Sequence, residues 1–260
     1  MEAFKGLLAL VRVRHMGQVV GIVSLLNLKS NGCSIPSLLT IASYMFLSIA
    51  LFSFDDAYDF ASDSIAHPGR PIPKGIFTSR QVYLIGAVSL SLGIALMSSL
   101  TLYQLVLFLV ITMLGLVVIF TKLKSVLRAT LTASMIFMLF PANTADLKNM
   151  LFGLIVVLPH IAGSIAKDYM HSRGDERIGL ESPPEWARYL SSLLFFVAGG
   201  ITMLPVILNH VTWLYVLLIL PTFVSCLTLG SKVLFGKYEK VYIYGGIGMI
   251  SSLVAFATNI

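Results

Sequence analysis

Long runs of apolar residues constrain the fold of this chain more than any other feature. The clearest run is PSLLTIASYMFLSIALFSF at residues 36–54, which contains no charged side chain. About 20 apolar residues are enough for a helix to cross a bilayer, and only helices and closed barrels satisfy their backbone groups in lipid. The chain is 57% hydrophobic and only 12% charged, whereas soluble domains are roughly 25% charged. The sequence therefore predicts an all-α, polytopic membrane protein.

Nine transmembrane helices in one bundle are predicted, forming a single domain over residues 1–260. The segments lie near residues 10–28, 36–56, 80–100, 103–121, 126–143, 149–168, 187–208, 211–230 and 241–259. The first is crowded by Arg12, Arg14 and His15, and Pro141 shortens the fifth. These two segments are consequently the least typical of the nine.

Basic residues are distributed asymmetrically along this predicted topology. If the N-terminus is cytoplasmic and the helices alternate, all of the 18 basic residues except Lys29 and Lys148 lie at cytoplasmic segments or helix ends. This asymmetry follows the positive-inside rule and predicts a multi-pass cell-membrane protein with cytoplasmic acidic loops. Topology and anionic lipids account for the net charge of +6, so no nucleic-acid partner is expected. No obligate protein partner is expected either, and Cys33 and Cys226 are expected to be free thiols.

A cluster of carboxylates follows the second predicted span directly. This first acidic segment, DDAYDFASD, contains Asp55, Asp56, Asp59 and Asp63. If the helix continues, residues 55, 59 and 63 share one face, where like charges repel. Mg²⁺ prefers carboxylate oxygens and shares them readily with phosphate. Arg70 and Lys74 in the following RPIPKG would meet the remaining phosphate charge, so the pattern predicts a metal–diphosphate site at the membrane surface.

A second acidic segment, KDYMHSRGD at residues 167–175, follows the sixth predicted span. Asp168 and Asp175 are interleaved there with Lys167 and Arg173. Because both acidic segments follow even-numbered helices, they are predicted to face the same side of the membrane. Two metal ions that hold one diphosphate require carboxylates from more than one segment.

Both segments resemble the signatures of the UbiA superfamily of intramembrane prenyltransferases. DDAYDFASDSIAHPGRPIPKG is similar to the family's NDxxDxxxD followed by RPxxxG, and KDYMHSRGD is similar to its (K/R)DxxDxxxD. FTKLKS resembles a short segment of the family in which a Tyr is followed by Leu-Lys. Phe120 stands at the tyrosine position, and the lysine is retained as Lys124. The resemblance covers nearly the whole chain. It implies Mg²⁺-dependent transfer of a prenyl group, expected to be geranylgeranyl, from a polyprenyl diphosphate to a membrane-embedded acceptor.

The resemblance also implies a set of site residues. The expected metal ligands are Asp55, Asp56, Asp59, Asp63, Asp168 and Asp175, and the expected diphosphate-binding residues are Arg70, Lys74, Lys124 and Lys167. Of these, Asp59, Asp168 and Lys124 are expected to be catalytic.

Two positions depart from the family pattern. Asp55 replaces the usual Asn and keeps an oxygen ligand, whereas His171 replaces the middle Asp of the second signature. Imidazole is a poor ligand for Mg²⁺, because hard cations prefer oxygen. Two interpretations of His171 stay open: a vacated ligand position, or a residue that acts as a base or contacts the acceptor.

Two acceptor classes stay open as well. The short chain, the RPIPKG tail and the lack of extramembrane segments most resemble the archaeal ether-lipid members of the family, whose acceptor is geranylgeranylglyceryl phosphate. The alternative is an aromatic acceptor in quinone biosynthesis, of the 4-hydroxybenzoate, homogentisate or naphthoate type. A cation-coupled transporter is a more distant alternative, which the absence of mid-span acids and internal repeats disfavours.

Overall fold

The computed structural model describes residues 2–121, 123–141, 147–175, 183–208, 211–238 and 240–258. Within these ranges it describes the side chains of all residues except 2–4, 14, 66, 147–148 and 171–175. The described residues form eleven helices and no strand: α1 (Glu2–Leu10), α2 (Val13–Asn31), α3 (Ile35–Tyr58), α4 (Phe60–Ala66), α5 (Ser79–Met97), α6 (Leu102–Phe120), α7 (Ser125–Met138), α8 (Leu147–Asp175), α9 (Glu185–Ile207), α10 (Trp213–Leu234) and α11 (Val241–Thr258). The predicted all-α fold is confirmed.

Seven helices in the described ranges are long and apolar enough to cross a membrane. They are α3, α5, α6, α8 over Asn149–Met170, α9, α10 and α11. The first predicted span corresponds to α2, which carries polar residues such as Gln18 and Lys29. The fifth corresponds to α7, whose 14 residues reach only about 21 Å at 1.5 Å per residue. A protein with several transmembrane helices is therefore confirmed, but the number nine is not.

The chain divides into two compact units. The first comprises Met1–Lys122 with Ala142–Thr144, and the second comprises Leu123–Pro141 with Ala145–Ile260. In the first unit, α3 packs against α2, α5 and α6. In the second, α8 packs against α7, α9 and α11, and α10 packs against α9 and α11. Each unit contains one of the two acidic segments, and the single functional domain stays a prediction.

Glycines let α5 approach α3 closely in the first unit. A Cβ on Gly86 would lie 2.6 Å from the ring of Phe54, and one on Gly93 would lie 3.2 Å from the backbone oxygen of Ser43. Because these glycines are seven residues apart, they lie on the same face of α5. This contact fixes the part of α3 that leads into the first acidic segment.

Candidate active site

The first acidic segment keeps helical spacing across the end of α3. Asp55 and Asp56 lie in the last turn of α3, Asp59 follows its end, and Asp63 lies within α4. The amide of Asp59 donates to the carbonyl oxygen of Asp55 at 2.9 Å, and that of Asp63 donates to the carbonyl oxygen of Asp59 at 2.8 Å. Four carboxylates are therefore held on less than three turns of nearly continuous helix.

The RPIPKG segment folds into a compact turn beside this helix end. The amide of Lys74 donates to the Arg70 carbonyl oxygen at 3.0 Å, and Gly75 has a positive φ of 73°, which glycine adopts without strain. Ile72 is buried in a cluster with Leu10 and Ala57. This packing places Arg70 next to the first acidic segment, as the predicted site requires.

Arg70 contacts two of the four aspartates. Its Nη1 donates to Asp63 Oδ2 and lies 3.4 Å from Asp56 Oδ1. Both aspartates are buried, so each needs a partner for its charge. Lys74, the second cation predicted from this segment, is exposed at the end of the turn.

Arg12 is a further partner of the aspartates that the sequence did not assign to the site. It lies between α1 and α2, and its Nη2 donates to Asp55 Oδ2 at 2.8 Å and to Asp56 Oδ1. Its guanidinium also lies 5.3 Å from the centroid of the Phe52 ring, within the range of cation–π attraction. The only sequence signal for this role was the position of Arg12 inside the first predicted span, residues 10–28, which is not typical of a transmembrane helix. Arg12 is more than 40 residues from its partners in the sequence.

Asp59 differs electrostatically from an ordinary surface carboxylate. Partial burial and the negative charges of Asp55 and Asp63 raise the pKa of Asp59 from 3.8 to about 6, although Arg70 and Arg12 oppose the shift. A raised carboxylate pKa means that the local environment disfavours negative charge. A divalent cation would relieve this cost, and Asp59 is therefore well suited to bind one.

Exposed aromatic rings lie beside the same helix end. Tyr58 packs edge-to-face against Phe120 of α6 with 5.3 Å between the ring centroids, and Phe54 lies 6.4 Å from Phe120. Phe120 is the residue that matches the tyrosine position of the family segment. These rings form an aromatic cluster in the same unit as the first acidic segment, at the end of α3 that carries it.

In the second unit, Asp168 of α8 is held by two residues of α7. The Ser125 hydroxyl donates to Asp168 Oδ2, and Arg128 Nη2 donates to Asp168 Oδ1 at 2.8 Å. Lys124 is exposed directly before α7, and Lys167 is exposed beside Asp168. The backbone of α8 extends through His171 and Asp175, but the side chains of these two predicted site residues lie outside the described residues.

The comparison with family models identifies the chain. The model described as the UbiA prenyltransferase family matches residues 20–244, a range that contains both acidic segments. The protein belongs to the UbiA prenyltransferase family. A comparison with curated protein sequences finds no match.

Solved UbiA structures share the fold over almost their whole length. A structure of digeranylgeranylglyceryl phosphate synthase is 21% identical with a TM-score of 0.76 and covers 100% of both chains. An apo UbiA homologue from Aeropyrum pernix K1 is 16% identical with a TM-score of 0.76, covering 94% of this chain and 97% of its own. A UbiA homologue from Archaeoglobus fulgidus bound to GPP and Mg²⁺ is 13% identical with a TM-score of 0.67, and the match covers 96% of this chain and 99% of the homologue.

The donor atoms of the first acidic segment fit the metal that this UbiA resemblance implies. Carboxylate oxygens are the ligands that Mg²⁺ prefers, and the segment supplies four carboxyl groups within nine residues. In the part of the chain that the structure describes, no three acidic, histidine or cysteine side chains converge as a ready metal group. Arg12 and Arg70 contact the carboxylates instead, so a metal would have to share or replace these contacts.

Proposed function

We propose that this UbiA-family protein is a Mg²⁺-dependent prenyltransferase that acts on a polyprenyl diphosphate. The observation that carries the proposal is the first acidic segment itself, in which four aspartates follow one another at the end of α3 and Arg70 contacts two of them. Homologues from Archaeoglobus fulgidus bound to Mg²⁺ together with GPP or DMAPP support this choice of donor and metal.

In the proposed reaction the residues have distinct roles. Asp55, Asp56, Asp59 and Asp63 would hold Mg²⁺, which when bound would supply the positive charge that neutralises the diphosphate leaving group. Arg70 and Lys74 would bind diphosphate oxygens by charge-assisted hydrogen bonds and orient the allylic C–O bond. This bond breaks with its electron pair on the diphosphate, and a new bond forms between the prenyl carbon and an acceptor oxygen, which releases its proton to water.

Phe54, Tyr58 and Phe120 would face the developing allylic cation. Aromatic faces attract cations without reacting with them, and an apolar surround keeps water from capturing the cation. For the second unit we propose Asp168 and Asp175 as metal ligands and Lys124 and Lys167 as diphosphate-binding residues, with Asp59, Asp168 and Lys124 making the largest catalytic contributions.

As the acceptor we propose geranylgeranylglyceryl phosphate, and as the donor geranylgeranyl diphosphate. Similarity to a digeranylgeranylglyceryl phosphate synthase over the full length of both chains supports this acceptor. A lipid acceptor also fits a protein with many apolar helices, since both substrates and the product would stay in the bilayer.

The test is a transfer assay with the full-length protein in lipid nanodiscs. Geranylgeranyl diphosphate and Mg²⁺ are supplied with geranylgeranylglyceryl phosphate, 4-hydroxybenzoate, homogentisate or a hydroxynaphthoate, and products are identified by mass spectrometry. We expect a product that carries two geranylgeranyl chains, lost in EDTA and restored by Mg²⁺. Asp59→Ala and Asp168→Ala should each lower turnover at least about 100-fold, the scale of removing one major electrostatic stabiliser.

Two different results would contradict the proposal at different levels. Prenylation of an aromatic acceptor alone would refute the lipid acceptor and keep the transferase activity. Full activity in EDTA after metal stripping would refute the proposed use of Mg²⁺.

A further inference from the structure

Arg12 occupies carboxylate oxygens that the proposed function assigns to a metal. Its Nη2 donates to Asp55 at 2.8 Å and also to Asp56, whose side chain is only 4% exposed. A buried carboxylate without a partner is costly, so a positive charge at this position stabilises the site before any metal binds. Arg12 lies outside both acidic segments and outside the range matched by the family model, residues 20–244.

The fold holds Arg12 in place through the packing of α1, which ends two residues before it. Leu10 is completely buried with Ala57 and Ile72, which attaches the end of α1 to the end of α3. A Cβ on Gly6 would lie 2.8 Å from Ile76, so α1 also lies directly against the residues that follow RPIPKG.

The backbone at Arg12 is unusual. It has φ 48° and ψ 55°, the left-handed conformation that non-glycine residues seldom adopt. This conformation separates α1, which ends at Leu10, from α2, which begins at Val13. A strained residue persists where the surrounding contacts determine it, and here those contacts include the ion pairs of its side chain.

The guanidinium also contacts an aromatic ring that does not depend on the carboxylates. The ring of Phe52 lies 5.3 Å from the Arg12 guanidinium carbon, close enough for cation–π attraction. Arg12 is therefore able to release a carboxylate oxygen and keep a favourable contact.

We propose that Arg12 is a tethered counter-cation of the first acidic segment, which a divalent metal must displace from Asp55 or Asp56 in order to bind. Arg12 is a positioning residue in this role: it keeps the carboxylates together in the metal-free protein and competes with the metal for their oxygens. The proposal rests on the proposed function, because that function assigns these carboxylates to a metal.

Charge balance within the segment supports competition. Four carboxylates face two arginines, Arg12 and Arg70, so the group carries a net charge of about −2 when all six are ionised. While both arginines keep their contacts, this modest net charge attracts a divalent cation only weakly. Removal of Arg12 leaves one arginine for four carboxylates, and the net charge becomes about −3. Coupling between two binding events in a protein is typically about 5- to 150-fold, and we take the lower end of this range as the smallest effect expected for Arg12.

The test compares Mn²⁺ binding to the full-length protein in nanodiscs, without prenyl diphosphate, by electron paramagnetic resonance. We expect Arg12→Gln to bind Mn²⁺ at least about fivefold more tightly than the unmodified protein. In EDTA the variant should unfold at a lower temperature, and Mn²⁺ should restore most of the difference. Arg80→Gln removes the same charge from an exposed position at the start of α5, and should change neither property.

Arg12→Lys keeps the charge but lacks the forked guanidinium that contacts two carboxylates at once. It should bind Mn²⁺ with intermediate affinity, and it provides the comparison if Arg12→Gln does not fold in the absence of metal. Unchanged or weaker Mn²⁺ binding in these variants would overturn the proposal, as would a tightening of equal size in Arg80→Gln.

The outcomes separate this proposal from the proposed function. Tighter Mn²⁺ binding in Arg12→Gln, without prenyl transfer by the unmodified protein to any acceptor, would support the role of Arg12 and contradict the transferase assignment. Mg²⁺-dependent transfer, with no effect of Arg12 on Mn²⁺ affinity, would support the transferase assignment and overturn the role of Arg12. Absence of Mn²⁺ binding in all variants would overturn the counter-cation role.

Discussion

The aspartates at the end of α3 lie in different electrostatic environments. Asp56 is buried and contacts both Arg12 and Arg70, so two positive charges offset part of the cost of burying its carboxylate. Asp59 is half-buried, and its pKa is raised to about 6 by burial and by the charges of Asp55 and Asp63. Asp59 is therefore the carboxylate of this segment with the clearest reason to bind an added cation.

The raised pKa of Asp59 predicts a pH dependence of metal binding. Below about pH 6 the carboxyl group binds a proton, and a protonated carboxyl is a poor metal ligand. We therefore expect Mn²⁺ affinity to fall as pH drops from 7 to 5, a range in which a carboxylate of pKa 3.8 stays ionised. Titration of the protein with Mn²⁺ at several pH values, followed by electron paramagnetic resonance, measures this fall in affinity near pH 6.

Asp59→Asn is the matched variant for this experiment. It should bind Mn²⁺ more weakly at pH 7 and lose the step near pH 6, because the amide does not titrate. A step of equal size in Asp59→Asn would assign the titration to another group.

Residue contacts at the site were only partly predictable from the sequence. The spacing of the aspartates and the position of Arg70 followed from local sequence, since these residues lie within 16 positions of one another. The pairing of Arg12 with Asp55, and of Arg128 with Asp168, joins residues 40 or more positions apart. Local patterns carry no information about such pairs, which the tertiary packing decides.

At the scale of helices, hydropathy predicted the long spans well and the short segments poorly. An apolar run of sufficient length must be helical in lipid, which explains the agreement for α3, α5 and α6. The structure departs from the prediction at α7, which ends at Met138 shortly before Pro141, and at α2, whose polar residues weaken the apolar signal. The break between α3 and α4 was not predicted, since Asp59 carries no helix-breaking side chain.

Close packing of α5 on α3 predicts the effect of adding a methyl group. In Gly86→Ala the new Cβ would lie 2.6 Å from the Phe54 ring, which must move against its neighbours Tyr83 and Phe120. Overpacking of this kind typically costs about 1 to 3 kcal/mol. We expect a lower thermal unfolding midpoint, measured in detergent by the loss of helical circular dichroism.

Gly21→Ala in α2 is the control, because a Cβ there meets no heavy atom within 4 Å. Alanine favours a helix over glycine by about 1 kcal/mol, so this variant should be at least as stable as the unmodified protein. Combining Gly86→Ala with Phe54→Leu should remove part of the loss, since the smaller side chain leaves room for the methyl group. Equal stability of the two single variants would contradict the packing argument.

At the scale of the whole molecule, each compact unit holds one acidic segment next to its own arginine. Arg70 contacts Asp63 in the first unit, and Arg128 contacts Asp168 in the second. The family match over residues 20–244 includes both. Carboxylates already paired with arginines suit a substrate that brings both metal and diphosphate, since a diphosphate can take over the arginines while the metal takes the carboxylates.

The orientation of the molecule in the membrane is a further prediction, and native Cys33 makes it testable. Cys33 is exposed just before α3, and Ser64 is exposed in α4 after it. The 24 residues of α3 extend about 36 Å at 1.5 Å per residue, enough to cross a hydrocarbon core of about 30 Å. Cys33 and position 64 should therefore lie on opposite sides, with position 64 cytoplasmic according to the positive-inside rule.

Labelling with a membrane-impermeant maleimide separates the possibilities. In intact cells Cys33 should react, and Cys33→Ser should abolish the signal, because Cys226 is buried. Ser64→Cys in the Cys33→Ser background should react only in inverted vesicles. Reaction of both positions from the same side would show that α3 does not span the bilayer. If position 64 reacts in intact cells and Cys33 reacts only in inverted vesicles, α3 still spans the bilayer but the first acidic segment lies outside the cell. The diphosphate product of the proposed reaction would then be released outside the cell.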